Sequence, residues 1–368
     1  MNTHTTGISG QELYTLYCLG KESTLENLWK SGERTSVLAS MLSSWDLRKA
    51  NAQGASEYLP FIENAEERAL KYQTIRLMPK LIAPLEQEPR VHLILLVYNR
   101  IQYVETALRQ LAATNYNNYA VYILDNGSTD GSAAISARAR EYFPAHVEVH
   151  SLVMPFNIGR PLGHNWLLTH FDHSAAEYIA IGDDDLVVVP PDWMQNMLCT
   201  FRCFPNMALV GGKALDPYPG KVLNIGAMRL INFTDTAINF RDNYNQPDIG
   251  QQDYVDLTDH VIGCLNMYKK DVFFGEVGLF DIRYSPCQYV DIDHHIRIRL
   301  AGMSIAYNGL IEFQHARAMG KAALHDRALH GNSEGNRWKL LCKHDPAKVQ
   351  QFITQSREEL AERIAKYI

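Results

Sequence analysis

The chain has 368 residues, 46% hydrophobic and 21% charged, with a formal charge of -6, which is the make-up of a globular protein with one large catalytic domain plus attachments, or two domains. That mild acidity excludes the basic stripe that nucleic-acid binding calls for. No apolar run approaches the roughly 20 residues that span a bilayer, and the N-terminus Met1-Asn2-Thr3-His4 lacks the pattern of a secretory leader, so a cytoplasmic protein without a transmembrane segment is expected, with peripheral membrane contact and oligomeric state left open.

Residues 10 to about 85 read as helical, because Leu13, Leu16 and Tyr17, then Leu25, Leu28 and Trp29, recur at three- and four-residue spacing. Ser23 and Glu26 have the spacing of a capping box, and Pro79, Pro84 and Pro89 are expected to stop the helical pattern. Residues 1–88 therefore form a helical N-terminal extension that packs or oligomerises, with acceptor binding as the alternative. The six cysteines, Cys18, Cys199, Cys203, Cys264, Cys287 and Cys342, include no CxxC pair, so reduced and mostly buried thiols are expected rather than disulfides or a zinc site.

After Pro89 the pattern changes. Val91 to Val97 predicts a buried strand, Tyr103 to Ala113 a helix, Ala120 to Leu124 a second strand, Val147 to Val153 a third, Arg160 to Phe171 a helix and Tyr178 to Ile181 a fourth strand. This alternation predicts an α/β fold, a mainly parallel sheet flanked by helices, with ligands at the carboxyl ends of the strands. Residues 89–318 make the catalytic domain and residues 319–368 a lid and helical tail. The lid is placed at Met319 to Arg337, where Lys321, Arg327, Gly331, Gly335 and Arg337 suit a loop that closes over a diphosphate.

The polar motifs fall at those strand ends. Asp183, Asp184 and Asp185 directly follow the fourth strand. Alone such a triplet reads as a solvated turn or a helix cap. After a buried strand, three adjacent carboxylates need a compensating cation, and hard oxygen ligands suit Mg²⁺ or Mn²⁺ bridging diphosphate oxygens. The turn Asp125-Asn126-Gly127-Ser128-Thr129-Asp130-Gly131 follows the second strand, where it is either an ordinary strand-to-helix turn or, with Val97-Tyr98-Asn99-Arg100 after the first strand, half of a nucleotide pocket.

These motifs in this order resemble the family 2 glycosyltransferases of the GT-A fold. The resemblance runs on through Asn157, Gly159 and Asn165, the acidic triplet, Gly278-Leu279-Phe280-Asp281 and Asp291-Ile292-Asp293 with Arg297 and Gly302 behind, over residues 90 to 345. It implies a nucleotide diphosphate sugar donor, a saccharide or other hydroxyl acceptor, and a divalent metal, Mn²⁺ or Mg²⁺. It implies a substrate and nucleotide site built from Val97, Tyr98, Asn99, Arg100, Asp125, Asn126, Asn157, Arg160, Asn165, Asp183, Asp184 and Asp293. Tyr98 would stack near the base, and Asp125 or Asn126 would bind base or ribose. Asp183 would touch ribose or sugar. The metal would sit on Asp185 and Asp183, with His315 where related enzymes complete the shell; the alternative for His315 is a structural histidine after an apolar strand.

The resemblance also implies that Asp291 is the general base. Val290 departs from the glutamate common at that place in the family and Gln288 from a frequent acid, and Asp293 is the other carboxylate within reach. His294 and His295 are expected to orient the base region. The implied reaction is an inverting single displacement, with cell-surface polysaccharide synthesis as its expected setting. A sugar nucleotidyltransferase is the alternative, and would release pyrophosphate from an NTP and a sugar phosphate. A non-catalytic sugar-nucleotide-binding protein is the other.

Overall fold

The computed structural model describes residues 8–217, 220–316 and 327–367, except for the side chains of 327–330. Five helices come first: α1 Gly10–Cys18, α2 Glu22–Lys30, α3 Ser36–Arg48, α4 Ala52–Tyr58 and α5 Ala65–Ile82. The α/β alternation follows as β1 Val91–Val97, α6 Val104–Ala112, β2 Tyr119–Asp125, α7 Ser132–Ala137, β3 Glu148–Val153, α8 Arg160–His170, β4 Tyr178–Asp183 and β5 Leu186–Val188. Then come α9 Trp193–Thr200, β6 Met207–Leu215, β7 Leu223–Ile225, β8 Arg229–Phe233, β9 Ile238–Arg241, β10 Val255–Thr258, β11 Leu265–Lys269 and α10 Asp271–Phe274. The chain closes with α11 Val290–Leu300, β12 Ser304–His315, α12 Arg327–Lys343 and α13 Pro346–Ala365.

The central sheet has the order β10-β12-β6-β11-β4-β1-β2-β3, with β5 beside β12 and β7 beside β6. Along that path all strands but β10 and β11 run the same way. A mainly parallel sheet has both faces covered, and β1 shows it: Val91, Leu93, Leu95 and Val97 face one core with Leu108 and Leu111 of α6. Ile94 faces the other core with Leu167 and Leu168 of α8. Parallel registry sets Val97 beside Asp125 and Leu96 beside Asp183, so the ends of β1, β2 and β4 open at one level. Those ends carry the polar motifs.

Three expectations change. The capping box forms at Ser9 and Glu12, where the Ser9 amide reaches Glu12 Oε2 at 2.8 Å and the Glu12 amide reaches Ser9 Oγ at 3.2 Å; Ser23 lies inside α2, which begins without a side-chain cap. Pro79 lies within α5 rather than ending it. It removes one amide donor, and the helix stops at Ile82, just before Ala83 turns extended ahead of Pro84. Residues 327–337 of the expected lid, with the Gly/Asn-rich stretch 331–336, are part of α12, and 319–326 lie outside the described residues.

The N-terminal helices have a small core of their own around Leu13, Leu25, Trp29, Leu38 and Leu42, and α5 covers the sheet edge. β10 is the edge strand, and its Val255 amide donates to Thr74 Oγ1 at 2.8 Å while its carbonyl accepts from Gln73 Nε2 at 2.8 Å. Side chains of α5 thus satisfy the backbone groups that an open edge would leave to aggregation. A buried ionic cluster makes the second tie. Lys213 Nζ lies 2.7 Å from Asp248, 2.5 Å from Asp253 and 3.1 Å from Glu312. Lys221 pairs with Glu312 at 2.7 Å. The Arg48 guanidinium of α3 reaches Asp253 and, at 3.0 Å, Glu312. Three carboxylates thus meet three cations, and one of those cations comes from the N-terminal helices.

Removing one member of a buried ionic cluster leaves a charge uncompensated, which costs roughly 3–5 kcal/mol. Arg48→Met is therefore expected to lower unfolding free energy by about 3 kcal/mol, measured by chemical denaturation. A change within error would show that the cluster is balanced without the N-terminal helices.

Candidate active site

β4 ends at Asp183, and the chain turns through Asp184 and Asp185 into β5. β12 pairs antiparallel with β5, its register shifting between Gln314 and His315, which sets His315 opposite Leu186. The Ala316 amide then closes on the Asp185 carbonyl at 2.9 Å. A residue 130 positions away in sequence is thus delivered to the acidic turn by a strand ladder. His315 Nε2 lies 2.9 Å from Asp185 Oδ1 and 3.8 Å from Asp183 Oδ2, and one ligand atom from each residue lies within 4.8 Å of the others.

This set fits a divalent cation. Asp185 Oδ1 is buried and, although close to the imidazole, has no hydrogen bond of acceptable geometry. One donor atom from each of Asp183, Asp185 and His315 thus faces a common point, which is how ligands of one ion are arranged. Mixed carboxylate and imidazole donors suit Mn²⁺, and carboxylates suit Mg²⁺. In the chain itself, protein cations supply the compensation that three carboxylates demand. Arg160 Nη2 donates to Asp183 Oδ1 at 2.8 Å, and Arg100 Nε lies 3.4 Å from Asp185 Oδ2. Burial pushes the Asp183 carboxyl up. Burial and then the Asp185 charge push Asp184 to about 8. Burial would also raise Asp185, but His315 and Arg100 hold it below the usual carboxylate range. Burial would depress His315, yet Cys264 and Asp185 beside it hold the imidazole well above its ordinary value.

The turns after β1 and β2 clasp each other. Asn99, at φ 50°, a left-handed conformation asparagine tolerates, accepts the Thr129 amide at 2.8 Å and donates its own amide to Ser128 Oγ at 3.0 Å. Arg100 donates its amide to Ser132 Oγ at 3.0 Å, and Tyr98 its amide to Asp184 Oδ2 at 2.8 Å. Tyr98 is 41% exposed, free to lie against a flat ligand. Asp125 is buried; one oxygen accepts the Ser128 amide at 2.8 Å and the other has no partner, an acceptor position that a ligand N–H or O–H would fill. Gly127, at φ +76°, is required here, since a Cβ would stand 2.4 Å from the Phe156 backbone.

Three expected ligand residues are engaged within the protein instead. Asn126 and Asn157 bond to each other at 2.9 Å, and their remaining acceptor capacity goes to the amides of Ile158 at 3.0 Å and Gly159 at 2.7 Å. Asn165 makes both its bonds to the Phe280 backbone, at 2.7 and 3.0 Å, pinning α8 to the loop before α11. Asp184 turns back to β1 through Tyr98. Val97 is fully buried and contributes its carbonyl, 2.7 Å from the Asn126 amide.

The two carboxylates of α11 have opposite surroundings. Asp291 is partly exposed, its side chain at 24%, with Oδ1 on its neighbour's amide at 2.9 Å. Oδ2 is where a Cβ on Gly263 would come within 2.8 Å, so only glycine admits this approach. The Gly263 carbonyl also takes Arg160 Nη2 at 2.9 Å, so Arg160 joins the acidic turn to the Asp291 side of the cleft. Asp293 has no exposed side chain; Lys343 at 2.7 Å, His344 at 2.8 Å, Arg297 at 3.1 Å and the Tyr284 hydroxyl at 3.2 Å surround it. Its expected role on the acceptor is thereby replaced by a structural one, locking α12 to α11.

Two contributors carry no recognisable signal in the sequence. Asn336 of α12 is buried and donates to the carbonyls of Tyr284, Cys287 and Gln288 at 2.9, 2.7 and 3.0 Å, holding the turn in which Gln288 and Tyr289 both have positive φ, 75° and 63°. Strain of that kind persists where surrounding contacts impose it, and here it sets the start of α11 and so the position of Asp291. His260 lies 3.9 Å from Asp291 Oδ2.

Comparison with known proteins agrees with this geometry. Residues 93–273 match the model described as glycosyl transferase family 2. The uncharacterized protein y4gI of Sinorhizobium fredii is 24% identical over 301 residues, 76% of this chain and 32% of that protein; the chain spans about a third of the relative's length. Among solved structures, the mannosyltransferase PcManGT from Pyrobaculum calidifontis, in complex with GDP-Man and Mn²⁺, superposes with a TM-score of 0.50 at 15% identity, covering 87% of this chain and 85% of that one. GalNAc-T7 with UDP, GalNAc and Mn²⁺ gives 0.51 at 10% identity, covering 64% and 45%. These likenesses establish the GT-A fold.

Two outcomes follow from the placement of the carboxylates. Burial alone would raise Asp293, but His344, Arg297 and Lys343 hold it at about 2, below the ordinary 3.8. A depressed carboxyl contributes stability that is present above its unfolded value and lost as pH falls through the folded one, so the contribution disappears between about pH 4 and pH 2. Asp293→Asn is therefore expected to lower the melting temperature at pH 7 and to flatten the acid limb of the stability curve. An unchanged melting temperature at pH 7 would contradict the structural role. Asp185→Ala removes a carboxylate that His315 and Arg100 hold ionised and leaves those cations less compensated, so its metal-free melting temperature should fall while the increase caused by Mn²⁺ disappears. Retention of that increase would remove Asp185 from the metal site.

Proposed function

We propose, from the premise that residues 93–273 of this chain belong to glycosyl transferase family 2, that it transfers a sugar from a nucleoside diphosphate donor to an acceptor hydroxyl. The observation that carries this reading is the convergence of Asp183, Asp185 and His315 on one point, with Asp291 facing them across Arg160. The exposed Tyr98 ring and the unpartnered oxygen of Asp125 would hold the base and ribose. Asp183, Asp185 and His315 would hold a divalent cation, which supplies neutralisation of the charge that develops on the departing nucleoside diphosphate. Arg100, at the mouth of the same turn, adds a second positive charge on that side.

Asp291 acts as general base. It is the one carboxylate of α11 with an exposed side chain, and it sits in the first turn, where the helix dipole favours the ionised form. An acceptor hydroxyl over Asp291 would give up its proton there as it attacks the anomeric carbon from the side opposite the diphosphate. The product anomer would be inverted, with no covalent intermediate on the protein. The polar carboxyl ends of β1, β2 and β4 give the donor side; α11 and the His260 segment give the acceptor side. Among roles for such a reaction, assembly of a cell-surface polysaccharide is the one this reading favours.

A thermal-shift screen of UDP, GDP and their sugars with and without Mn²⁺ tests the donor site, because a ligand that binds the native state raises apparent stability. A rise with a nucleoside diphosphate that requires Mn²⁺ is expected; no response to any nucleotide would defeat the proposal. With a donor in hand, Asp291→Asn should leave nucleotide affinity nearly unchanged and lower kcat by about 10²-fold or more, the range for loss of a general base. Turnover unchanged in that variant would move the base elsewhere.

A further inference from the structure

Two pairs of buried histidines meet Nδ1 to Nδ1, and they differ in what their outer nitrogens touch. In the first, His92 Nδ1 lies 2.8 Å from His173 Nδ1, and His173 Nε2 lies 3.0 Å from the Leu167 carbonyl. A carbonyl can only accept, so His173 carries its proton on Nε2 and His92 donates from Nδ1. That pair has one arrangement. In the second, His260 Nδ1 lies 2.7 Å from His295 Nδ1, His295 Nε2 lies 3.1 Å from the Tyr268 hydroxyl, and His260 Nε2 lies 3.9 Å from Asp291 Oδ2. A hydroxyl donates or accepts equally well, so neither end of this pair is fixed by a carbonyl. The carboxylate decides.

We infer that Tyr268, His295 and His260 form a hydrogen-bonded chain that aims an N–H at Asp291, making His260 a positioning residue for that carboxylate. The inference rests on the reading of Asp291 as general base. Only one proton fits between two nitrogens 2.7 Å apart, so the tautomers of the two rings are complementary. With Asp291 ionised, Tyr268 O–H donates to His295 Nε2, His295 Nδ1–H donates to His260 Nδ1, and His260 Nε2–H faces Asp291 Oδ2. The reverse order would set the lone pair of His260 Nε2 against the carboxylate. Burial depresses both imidazoles, which keeps them neutral and the one-proton argument intact.

The 3.9 Å gap is too long for a hydrogen bond as it stands. Contacts of this kind in ligand-free sites tighten when the reacting complex assembles, and the partly exposed Asp291 has room to turn. Asp291 is otherwise faced by Arg160, Asp183 and the Tyr268 hydroxyl; His295 meets His260, His294 and Tyr268. Of these, Arg160 Nη2 is engaged by Asp183 and the Gly263 carbonyl, and the Tyr268 hydroxyl lies against His295 Nε2. A donor fixed through two further residues orients the carboxylate in the way that outer-shell partners orient catalytic and metal-ligating side chains.

Long-range ¹H–¹⁵N spectra of the full chain labelled in its 14 histidines read the tautomers directly, with the His92 and His173 pair as an internal reference. At pH 7 the expected result is His260 protonated on Nε2 and His295 on Nδ1, with this preference weakened in Asp291→Ala and the reference pair unchanged. His260 protonated on Nδ1 in the wild-type chain, or tautomers in Asp291→Ala identical to wild type, would overturn the inference. Tyr268→Phe, a conservative change at the far end, should shift the same two rings; no shift there counts against the chain. In turnover of a UDP-sugar or GDP-mannose, His260→Phe should lower kcat about tenfold at unchanged donor KM and move the acid limb of the pH profile upward, because the carboxylate loses a donor that favours its ionised form. His260→Gln, which keeps an N–H, should recover part of the loss. If Asp291→Asn turned over normally, the base assignment would fall while the tautomer spectra would still decide the chain.

Discussion

A carboxylate withdrawn from water at the end of a buried strand must be met by a cation or by donors, and this requirement organises the molecule. Asp183 is met by Arg160, and Asp185 by His315 and Arg100. Asp293 is met by Lys343, His344 and Arg297. Asp248, Asp253 and Glu312 are met by Lys213, Lys221 and Arg48. In each case at least one partner comes from another part of the chain, so compensating the charge also fixes tertiary structure. Where the partners saturate the carboxylate, as at Asp293, the group is structural. Where two carboxylates and an imidazole converge on one point, as at Asp183, Asp185 and His315, the arrangement suits a cation from outside.

The same distinction separates the two acids of α11, two residues apart. They point to different faces of the helix. One face lies against α12 and is dry, and its carboxylate is locked by Lys343 and His344. The other opens to the cleft, kept clear by Gly263, and its carboxylate remains available. Asn336, reaching from α12 to the carbonyls of the preceding turn, holds this helix start in register with Arg160 and the acidic turn. The C-terminal helices thus help set where α11 begins and where Asp291 lies.

The first half of the sheet was legible in the sequence because its strands are continuous apolar runs ended by glycine and polar turns. Val91–Val97 is observed as a strand with those very bounds, and the acidic triplet lies where a buried strand must end. The strands from β6 to β11 were not read: β7, β8 and β9 are short and of mixed burial, and the buried runs β6 and β11 are not separated by the helix alternation that marked the first half. Pro79 and Ser23 misled for a simple reason: local propensity was weighed without the packing of α5 against β10 and of α2 in its own small core. In the site, residue types pointed to Asp183, Asp185 and His315, which the fold brings together. Single-residue roles inside the loops were not legible. An asparagine that binds a ligand and one that ties two loops, as Asn126, Asn157 and Asn165 do, look alike until partners are seen. His260 and Asn336 depend on contacts across 31 and 48 or more residues, and no local pattern announces them.

The central claim is that Asp183, Asp185 and His315 hold a divalent cation against a nucleoside diphosphate. Anomalous diffraction at the manganese edge, from crystals grown with Mn²⁺ and either UDP or GDP, tests it most directly. The account expects one strong peak in contact with the side chains of Asp183, Asp185 and His315 and with diphosphate oxygens. Nucleotide bound at the ends of β1 and β2 with no peak among those three residues, or a peak held by other side chains, would contradict it.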